Sequence, residues 1–218
     1  MLSSSSKDSK QSIIKRGIFH TLIQVMVVFI VAMIIRVDIM LFGSNINEDS
    51  LTEITQQTLL LLVICCFLSI SLFTQQHRHF HVLLAGFFAC MLIRELDAYF
   101  DQLIRHGFWF YIVLFVALGS IAYAWQAKQD NIKALTNLIN HNCFYSFCTA
   151  LVIILVFSRL FGMGDLWQEL MGDNYVRQVK NSFEEGIELL GYSLLFYNTV
   201  VYTADIHIHQ RNLAFSHK

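Results

Sequence analysis

Six apolar stretches, each about as long as a membrane-crossing helix, constrain the fold of this 218-residue chain more than any other feature. A helix needs roughly 17–25 residues to cross the hydrocarbon core of a bilayer. Short polar segments separate the stretches, which favours a bundle of helices over a barrel of alternating strands. The stretches are Gly17–Ile35, Leu51–Phe73, Val82–Ile104, Phe108–Trp125, Phe144–Phe161 and Phe183–Thr203. They predict an all-α polytopic membrane bundle with six transmembrane helices.

The composition agrees with a chain that lies largely in lipid. Apolar residues make up 56% of it and charged residues 14%, whereas a soluble domain is nearer half apolar and a quarter charged. We expect a cytoplasmic tail at residues 1–16, a six-span domain at 17–204 and a second cytoplasmic tail at 205–218. A net charge of −1 shows no nucleic-acid footprint. Five cysteines without a Cys-x-x-Cys pair predict free thiols.

The basic residues predict the orientation of the six spans. They precede span one, follow spans two and four, and follow span six: Lys7, Lys10, Lys15, Arg16, Arg78, Lys128, Lys133, Arg211 and Lys218. The loops after spans one and five are acidic on balance. By the positive-inside rule, both termini are expected to be cytoplasmic. The chain is therefore expected to be a multi-pass protein of the inner cell membrane, with the lipid bilayer as its partner.

Two of the six stretches carry carboxylates, which are costly in lipid. A charged side chain at the centre of a membrane helix costs about 2.5–3.5 kcal/mol on insertion scales, so it needs a partner, water or a function. With the amino terminus inside, Glu95, Asp97 and Asp101 of span three and Glu184 and Glu188 of span six all fall in the outer half of the membrane. We expect these five acids to line an outer-face cavity that binds protons or a cation, with Glu95 and Glu188 as the preferred pair.

Seven other polar residues are expected to support this cavity: Arg94, Arg105, His106, Glu185, Asn198, Tyr202 and Asp205. At about 100° per residue, the two arginines share one helical stripe with Asp97 and Asp101. The last three share a polar face of span six, which would continue a route inward. A purely structural ladder of ion pairs explains the arginine–aspartate stripe equally well.

Four histidines near the predicted cytoplasmic side offer a second, different chemistry: His79, His81, His207 and His209. Histidine together with a carboxylate such as Asp205 suits zinc. However, histidines two residues apart on a helix point to opposite sides, so solvated interfacial histidine is the simpler interpretation. The sequence assigns no cofactor; a cation at the acidic cavity is the first candidate, and zinc at these histidines is the less favoured alternative.

Three acidic segments carry a resemblance to known sequences. They are EDSLTE at 48–53, RELD at 94–97 with Asp101 and the HGFW of 106–109, and EEGIE at 184–188. Their combination over residues 45–191 resembles uncharacterised bacterial inner-membrane proteins that place acidic motifs beside their spans, a resemblance that implies no activity. The membrane hydrolases that include alkaline ceramidases and progestin-receptor-like proteins use a histidine-and-aspartate zinc site in seven helices. This chain departs from them, with six predicted spans and no His-x-x-x-His in the last.

Three classes of function follow from these patterns. The leading hypothesis is proton- or cation-linked transport or sensing at the acidic cavity, in an assembly of more than one copy because the chain is short. A membrane-embedded zinc-dependent hydrolase that uses the cytoplasmic-side histidines is the first alternative. The second is a non-catalytic accessory subunit of a membrane complex, in which the charges only hold helices together.

Overall fold

The computed structural model describes residues 2–42, 50–74, 76–104 and 106–216, and every regular element in these ranges is helical. The elements in chain order are α1 Leu2–Phe42, α2 Leu51–Phe73, α3 Arg78–Glu95, α4 Asp97–Leu103, α5 Phe108–Trp125, α6 Lys128–Ile139, α7 Phe144–Val152, a π-helical turn Ile153–Phe157, α8 Ser158–Phe161, α9 Gly164–Met171, a 3₁₀ turn Gly172–Asn174 and α10 Arg177–Ser216. The all-α prediction is confirmed.

Four segments are long and apolar enough to cross a membrane: Ile14–Met40, Leu51–Phe73, Phe108–Trp125 and Phe144–Phe161. Only 6% of the first and of the third is buried inside the protein. Their large side chains, such as Phe29 and Phe115, therefore lie on the outer surface of the bundle. An apolar surface of this extent on a folded chain is typical of contact with lipid.

Helix α2 lies at the centre of the bundle, with α3 on one side and α10 on the other. Helix α5 covers α3, while α1 and α7 pack on α10. Phe67 of α2 and Phe88 of α3 are fully buried with stacked rings, and Tyr192 and Leu195 of α10 complete the same core. The two more polar long helices, α3 and α10, thus lie against α2 and beside the apolar helices that face outward.

The helices run antiparallel, so the bundle has two distinct ends. At one end Arg16 of α1 lies 3.1 Å from Asp205 of α10. At the other end the far part of α1 reaches the start of α2 through Asp38. We call the end that holds Asp38 and the start of α10 the acidic end, and the end that holds Arg16 and Asp205 the histidine end.

The expectation of one uninterrupted helix over Val82–Ile104 is wrong. Helix α3 ends at Glu95, and Leu96, with φ −96° and ψ 14°, separates it from the short α4. Because the break falls between Arg94 and Asp97, the two side chains no longer follow one helical stripe. Arg94 pairs instead with its neighbour Glu95, at 3.2 Å between Nη2 and Oε1.

The first and last helices extend beyond the predicted spans. Helix α1 begins at Leu2 and α10 continues to Ser216, so both helices run into the segments expected to be tails. Helix α10 also begins at Arg177, six residues before the predicted start of span six. Ser182 therefore lies inside the helix, where its hydroxyl donates to the backbone oxygen of Gln178 at 2.9 Å.

Asp38 joins α1 to the amino end of α2. This fully buried carboxylate accepts hydrogen bonds from the backbone amides of Leu51 and Thr52, both at 3.1 Å, and from the Thr52 hydroxyl at 2.5 Å. The Ser50 hydroxyl accepts a further bond from the amide of Glu53 at 3.1 Å. Amides at a helix start have no partner within the helix, so Asp38 and Ser50 together cap α2.

Asp38→Ala should lower the free energy of unfolding by about 1.5–3 kcal/mol, because three buried donors lose a charged acceptor. The measurement is the unfolding midpoint of the purified protein in detergent. Asp173→Ala, which removes an exposed aspartate at the same end of the bundle, is the matched control and should leave the midpoint unchanged. Equal midpoints for the two variants would show that α2 does not depend on this cap.

Candidate functional site

The acidic side chains of α3 and α10 meet in one cavity of about 310 Å³ at the acidic end. Its described lining consists of Glu53, Arg94, Glu95, Asp97, Ala98, Arg159, Asn181, Glu184, Glu185 and Glu188. Four of the five acids predicted to form a site lie here, together with two residues predicted to support it, Arg94 and Glu185. Six carboxylates from three distant parts of the sequence thus face one space.

Arg159 is the cation at the centre of this cavity. Its Nη1 lies 3.3 Å from Oε1 of Glu184, and its Nη2 donates to Oε1 of Glu188. The Ser158 hydroxyl donates to the same oxygen of Glu188 at 3.2 Å. Only 4% of Glu188 is exposed, so its carboxylate depends on these donors in place of water.

The sequence patterns above do not single out Arg159, although a signal for it exists. It is the one charged residue in the apolar stretch Phe144–Phe161. An ionisable side chain within a membrane helix indicates a functional or paired position by default. Arg159 lies near the end of the stretch, where its pattern is the same as that of a charged residue that flanks a membrane helix.

A π-helical turn brings Ser158 and Arg159 to Glu188. The turn Ile153–Phe157 interrupts the helix that joins α7 to α8, and such turns re-aim the residues that follow them. Gly191 of α10 packs directly on it, since a Cβ there would lie 2.5 Å from Cγ1 of Ile154. Gly191 is one helical turn beyond Glu188, so this close approach places the carboxylate beside its two donors.

Two uncharged side chains bind two of the remaining carboxylates, Glu95 and Glu185, from inside the bundle. The Tyr192 hydroxyl donates to Oε1 of Glu95 at 3.0 Å. The Gln56 amide donates to Oε2 of Glu185 at 3.2 Å and to its backbone oxygen at 2.9 Å. Tyr192 and Gln56 are each 1% exposed. These bonds connect α2, α3 and α10 beneath the cavity.

Negative charge exceeds positive charge around the cavity. Among the described residues, three cations accompany the five lining carboxylates other than Glu53: Arg94 and Arg159 in the lining, and Lys180, whose Nζ lies 3.0 Å from Oε2 of Glu184. A concave site with an excess of one sign raises the local concentration of ions of the other sign. The arrangement therefore attracts protons and cations.

Asp101 and His106 lie apart from this cavity. Asp101 accepts from Nδ1 of His106 at 2.5 Å and from the amide of Gly107 at 2.9 Å. Neither side chain belongs to the described lining. They instead form the turn that leads from α4 to α5, where Gly107 adopts a φ of 80°. Arg105, predicted to support the site, lies outside the described residues.

Asn198, Tyr202 and Asp205 lie toward the histidine end, and the inward route predicted through them is not continuous among the described residues. Ten residues of α10 separate Glu188 from Asn198, about 15 Å of helix. Buried apolar side chains fill this level of the bundle: Phe67, Phe88, Phe147, Ile154 and Leu195. The cavity therefore ends above an apolar layer.

The four histidines of the zinc alternative do not meet in one group: His81 and His209 line one cavity at the histidine end, whereas His79 and His207 are not part of its described lining. His79 stacks against Tyr123, with 4.5 Å between ring centres, and Nδ1 of His81 bonds to the backbone oxygen of His77 at 2.9 Å. His207 lies 3.5 Å from the Ser69 hydroxyl. His209 lines a cavity at the histidine end. In the part of the chain that the structure describes, no group of three or more histidine, cysteine, aspartate or glutamate side chains is placed to hold a metal ion.

Comparison of the chain with protein-family models, curated proteins and solved structures finds no match. The four apolar segments and the cavity together define the class: a helical membrane-type protein with an acid-rich, partly buried cavity at one end.

Arg159→Ala should destabilise the protein by about 1–3 kcal/mol, because it leaves the buried Glu188 carboxylate without its charged partner. Arg177→Ala, which removes an exposed arginine from the start of α10, should have little effect. Unfolding midpoints in detergent measure both variants. Adding Glu188→Gln to Arg159→Ala should restore part of the lost stability, and no recovery in this double variant would argue against the pair.

Proposed function

We propose that this chain is a six-span protein of the inner cell membrane, with both termini cytoplasmic, whose outer-face acidic cavity binds protons or small cations for transport or sensing. The observation that carries the proposal is the convergence of α3 and α10. Carboxylates about ninety residues apart line one cavity with an excess of negative charge. If the charges formed only a structural ladder of ion pairs, each acid would have its own cation, and the cavity would carry no excess of negative charge.

Helices α3 and α10 are proposed as the two spans beyond the four apolar ones. Neither is apolar enough to be assigned as a span by composition, but each packs against α2 within the bundle. Polar membrane helices are tolerated where their charged residues face a cavity or partners rather than lipid. The basic residues at the histidine end support a cytoplasmic position for that end, by the positive-inside rule.

The apolar layer beneath the cavity bears on how such a protein would work. In this conformation a proton or cation that enters the cavity reaches Glu188 and meets Leu195 and Ile154 beyond it. Sensing needs no passage through this layer. Transport requires a second conformation or a second copy of the chain, as in transporters that expose one site alternately to the two sides.

Membrane topology provides the first test. A cysteine introduced at Asp173, near α9, should react with a membrane-impermeant maleimide in intact cells. One introduced at Gln129, in α6, should react only after the membrane is opened. The unmodified chain, treated in the same way, measures the background from its five native cysteines. Reaction at Gln129 in intact cells would reverse the orientation and place the cavity on the cytoplasmic side.

Ligand binding provides the second test. In lipid nanodiscs, a cation that binds the cavity should raise the unfolding midpoint, since a ligand at about 100 times its Kd stabilises by about 2.7 kcal/mol. Na⁺, K⁺, Mg²⁺, Ca²⁺ and a pH series are compared. Glu188→Gln and Glu95→Gln should abolish the stabilisation, because each removes a charge from the cavity lining.

Asp101→Asn is the matched control, because Asp101 lies at the same end but outside the described lining. It should leave the cation response unchanged. A response lost in Asp101→Asn but kept in Glu188→Gln would move the site away from the cavity. No response to any cation or to pH in the unmodified protein would leave the charges with a structural role only.

A further inference from the structure

A cysteine, a histidine and an aspartate form a chain of polar contacts at the histidine end, far from the acidic cavity. The Sγ atom of Cys143 lies 2.9 Å from Nδ1 of His141. Nε2 of His141 lies 3.3 Å from Oδ2 of Asp205. A nucleophile beside a base that a third group orients is the arrangement that nucleophilic catalysis requires.

The hydrogen bonds around His141 determine which nitrogen carries the proton. Nδ1 faces two donors, the thiol of Cys143 and the backbone amide of the same residue at 3.3 Å. Nε2 faces the Asp205 carboxylate, which can only accept when ionised. Nε2 therefore carries the hydrogen, and the lone pair of Nδ1 points at the thiol, as a general base needs.

The imidazole ring of His141 is held from two sides. Asp205 holds its Nε2, and Arg16 in turn holds Asp205, with 3.1 Å between Nη2 and Oδ2. The buried ring of Tyr202 packs edge-on against the imidazole at 5.2 Å between centres. The imidazole lies between the thiol and the carboxylate, so the three groups form a relay and not a set of metal ligands, in agreement with the absence of a metal-holding group among the described residues.

The triad opens into a groove whose far part includes apolar side chains of α1 and α10. Cys143 and His141 line a cavity of about 360 Å³ between α1, α7 and α10. A second cavity of about 440 Å³ shares Gln24, Ser146 and Asn198 with the first, so the two adjoin. Val25, Val28 and Leu194 line this second part beside the polar side chains of Thr21, Gln24, Ser146, Thr149 and Asn198. The groove thus holds the reactive groups at one end and adds apolar side chains of α1 and α10 at the other.

We propose that Cys143 is the nucleophile of an acyl-transfer site that takes a long-chain fatty acyl thioester or ester. The acyl chain lies along Val25 and Val28, and its carbonyl carbon lies at Cys143. Arg16, whose side chain is 58% exposed beside the cavity, faces the phosphate-bearing part of the donor. Asp205 is a positioning residue that acts through His141. This site is independent of the acidic cavity.

The reaction balances without an oxidant or a metal. Nδ1 of His141 takes the thiol proton as Sγ attacks the carbonyl carbon of the donor. The bond from that carbon to the leaving sulfur or oxygen breaks, and His141 passes the proton to the leaving group. The products are a thioester on Cys143 and the free thiol or alcohol of the donor; water then hydrolyses the thioester and releases the fatty acid.

Burial makes His141 necessary to this step. Burial raises the pKa of Cys143 to about 11, so the thiol alone stays protonated and is a poor nucleophile near pH 7. Cys148, five residues later on α7, is more exposed and no hydrogen bond to a base is recorded for it in the described residues. Accessibility alone therefore predicts that Cys148 reacts faster, and the triad predicts the reverse.

The test compares these two cysteines within the same full-length protein. The protein in nanodiscs is incubated with palmitoyl-coenzyme A, and peptide mass spectrometry follows adducts that neutral hydroxylamine removes. Cys143 should be acylated at least about tenfold faster than Cys148. His141→Asn should slow the reaction of Cys143 by about 10²–10⁴-fold, the usual contribution of a general base, and leave Cys148 unchanged. The donor is identified in nanodiscs whose phospholipid acyl chains carry an isotope label. If the label appears on Cys143, the donor is the phospholipid ester.

The positioning role of Asp205 needs its own comparison. Asp205→Asn should slow acylation of Cys143, and Asp205→Glu should recover part of the rate, whereas a merely structural aspartate would not give graded recovery. If a variant fails to fold, the comparison of the acylation rates of Cys143 and Cys148 in the unmodified protein still tests the proposal. Acylation of Cys148 as fast as that of Cys143, or a rate at Cys143 that His141→Asn leaves unchanged, overturns the proposal.

Discussion

The contact between Glu188 and Arg159 is the interaction on which the acidic end depends. Glu188 is nearly fully buried, and a charged carboxylate removed from water is tolerated only when it is paired and hydrogen-bonded. Its donors come from α8, which the π-helical turn aims toward α10. Without that turn and the close approach at Gly191, α8 would carry Arg159 elsewhere and the carboxylates of α10 would lack their central cation.

The long-range convergence of the acids was predictable because lipid leaves few places for charge. Once the orientation of α3 and α10 in the membrane is fixed, carboxylates at the same depth are expected to face a common space away from lipid. Glu95 of α3 and Glu188 of α10 line one such cavity. Helix periodicity failed for the stripe of Arg94, Asp97 and Asp101, because a stripe drawn at a constant angle assumes an unbroken helix. The interruption at Leu96 separates Arg94 from the two aspartates, and Asp101 accepts a hydrogen bond from the amide of Gly107.

Other features could not be predicted from a single chain. The π-helical turn at Ile153–Phe157 has no sequence mark that distinguishes it from ordinary apolar helix, yet it decides where Arg159 points. The Asp38 cap depends on the distance between α1 and α2, which no local pattern encodes. Tertiary packing places these groups, whereas the apolar runs alone predict the bounds of α2 and α5.

The two ends of the bundle carry different chemistry because the apolar layer separates them. The acidic end presents an excess of carboxylates to a polar cavity, and the histidine end presents a thiol and an imidazole to a groove that continues past Val25 and Val28 of α1. Helix α10 contributes to both, with Glu188 near its start and Asp205 near its end, about 25 Å apart along the helix. Both ends therefore depend on where this one helix lies: Glu188 contacts Ser158 and Arg159 at the acidic end, and Asp205 contacts His141 and Arg16 at the histidine end.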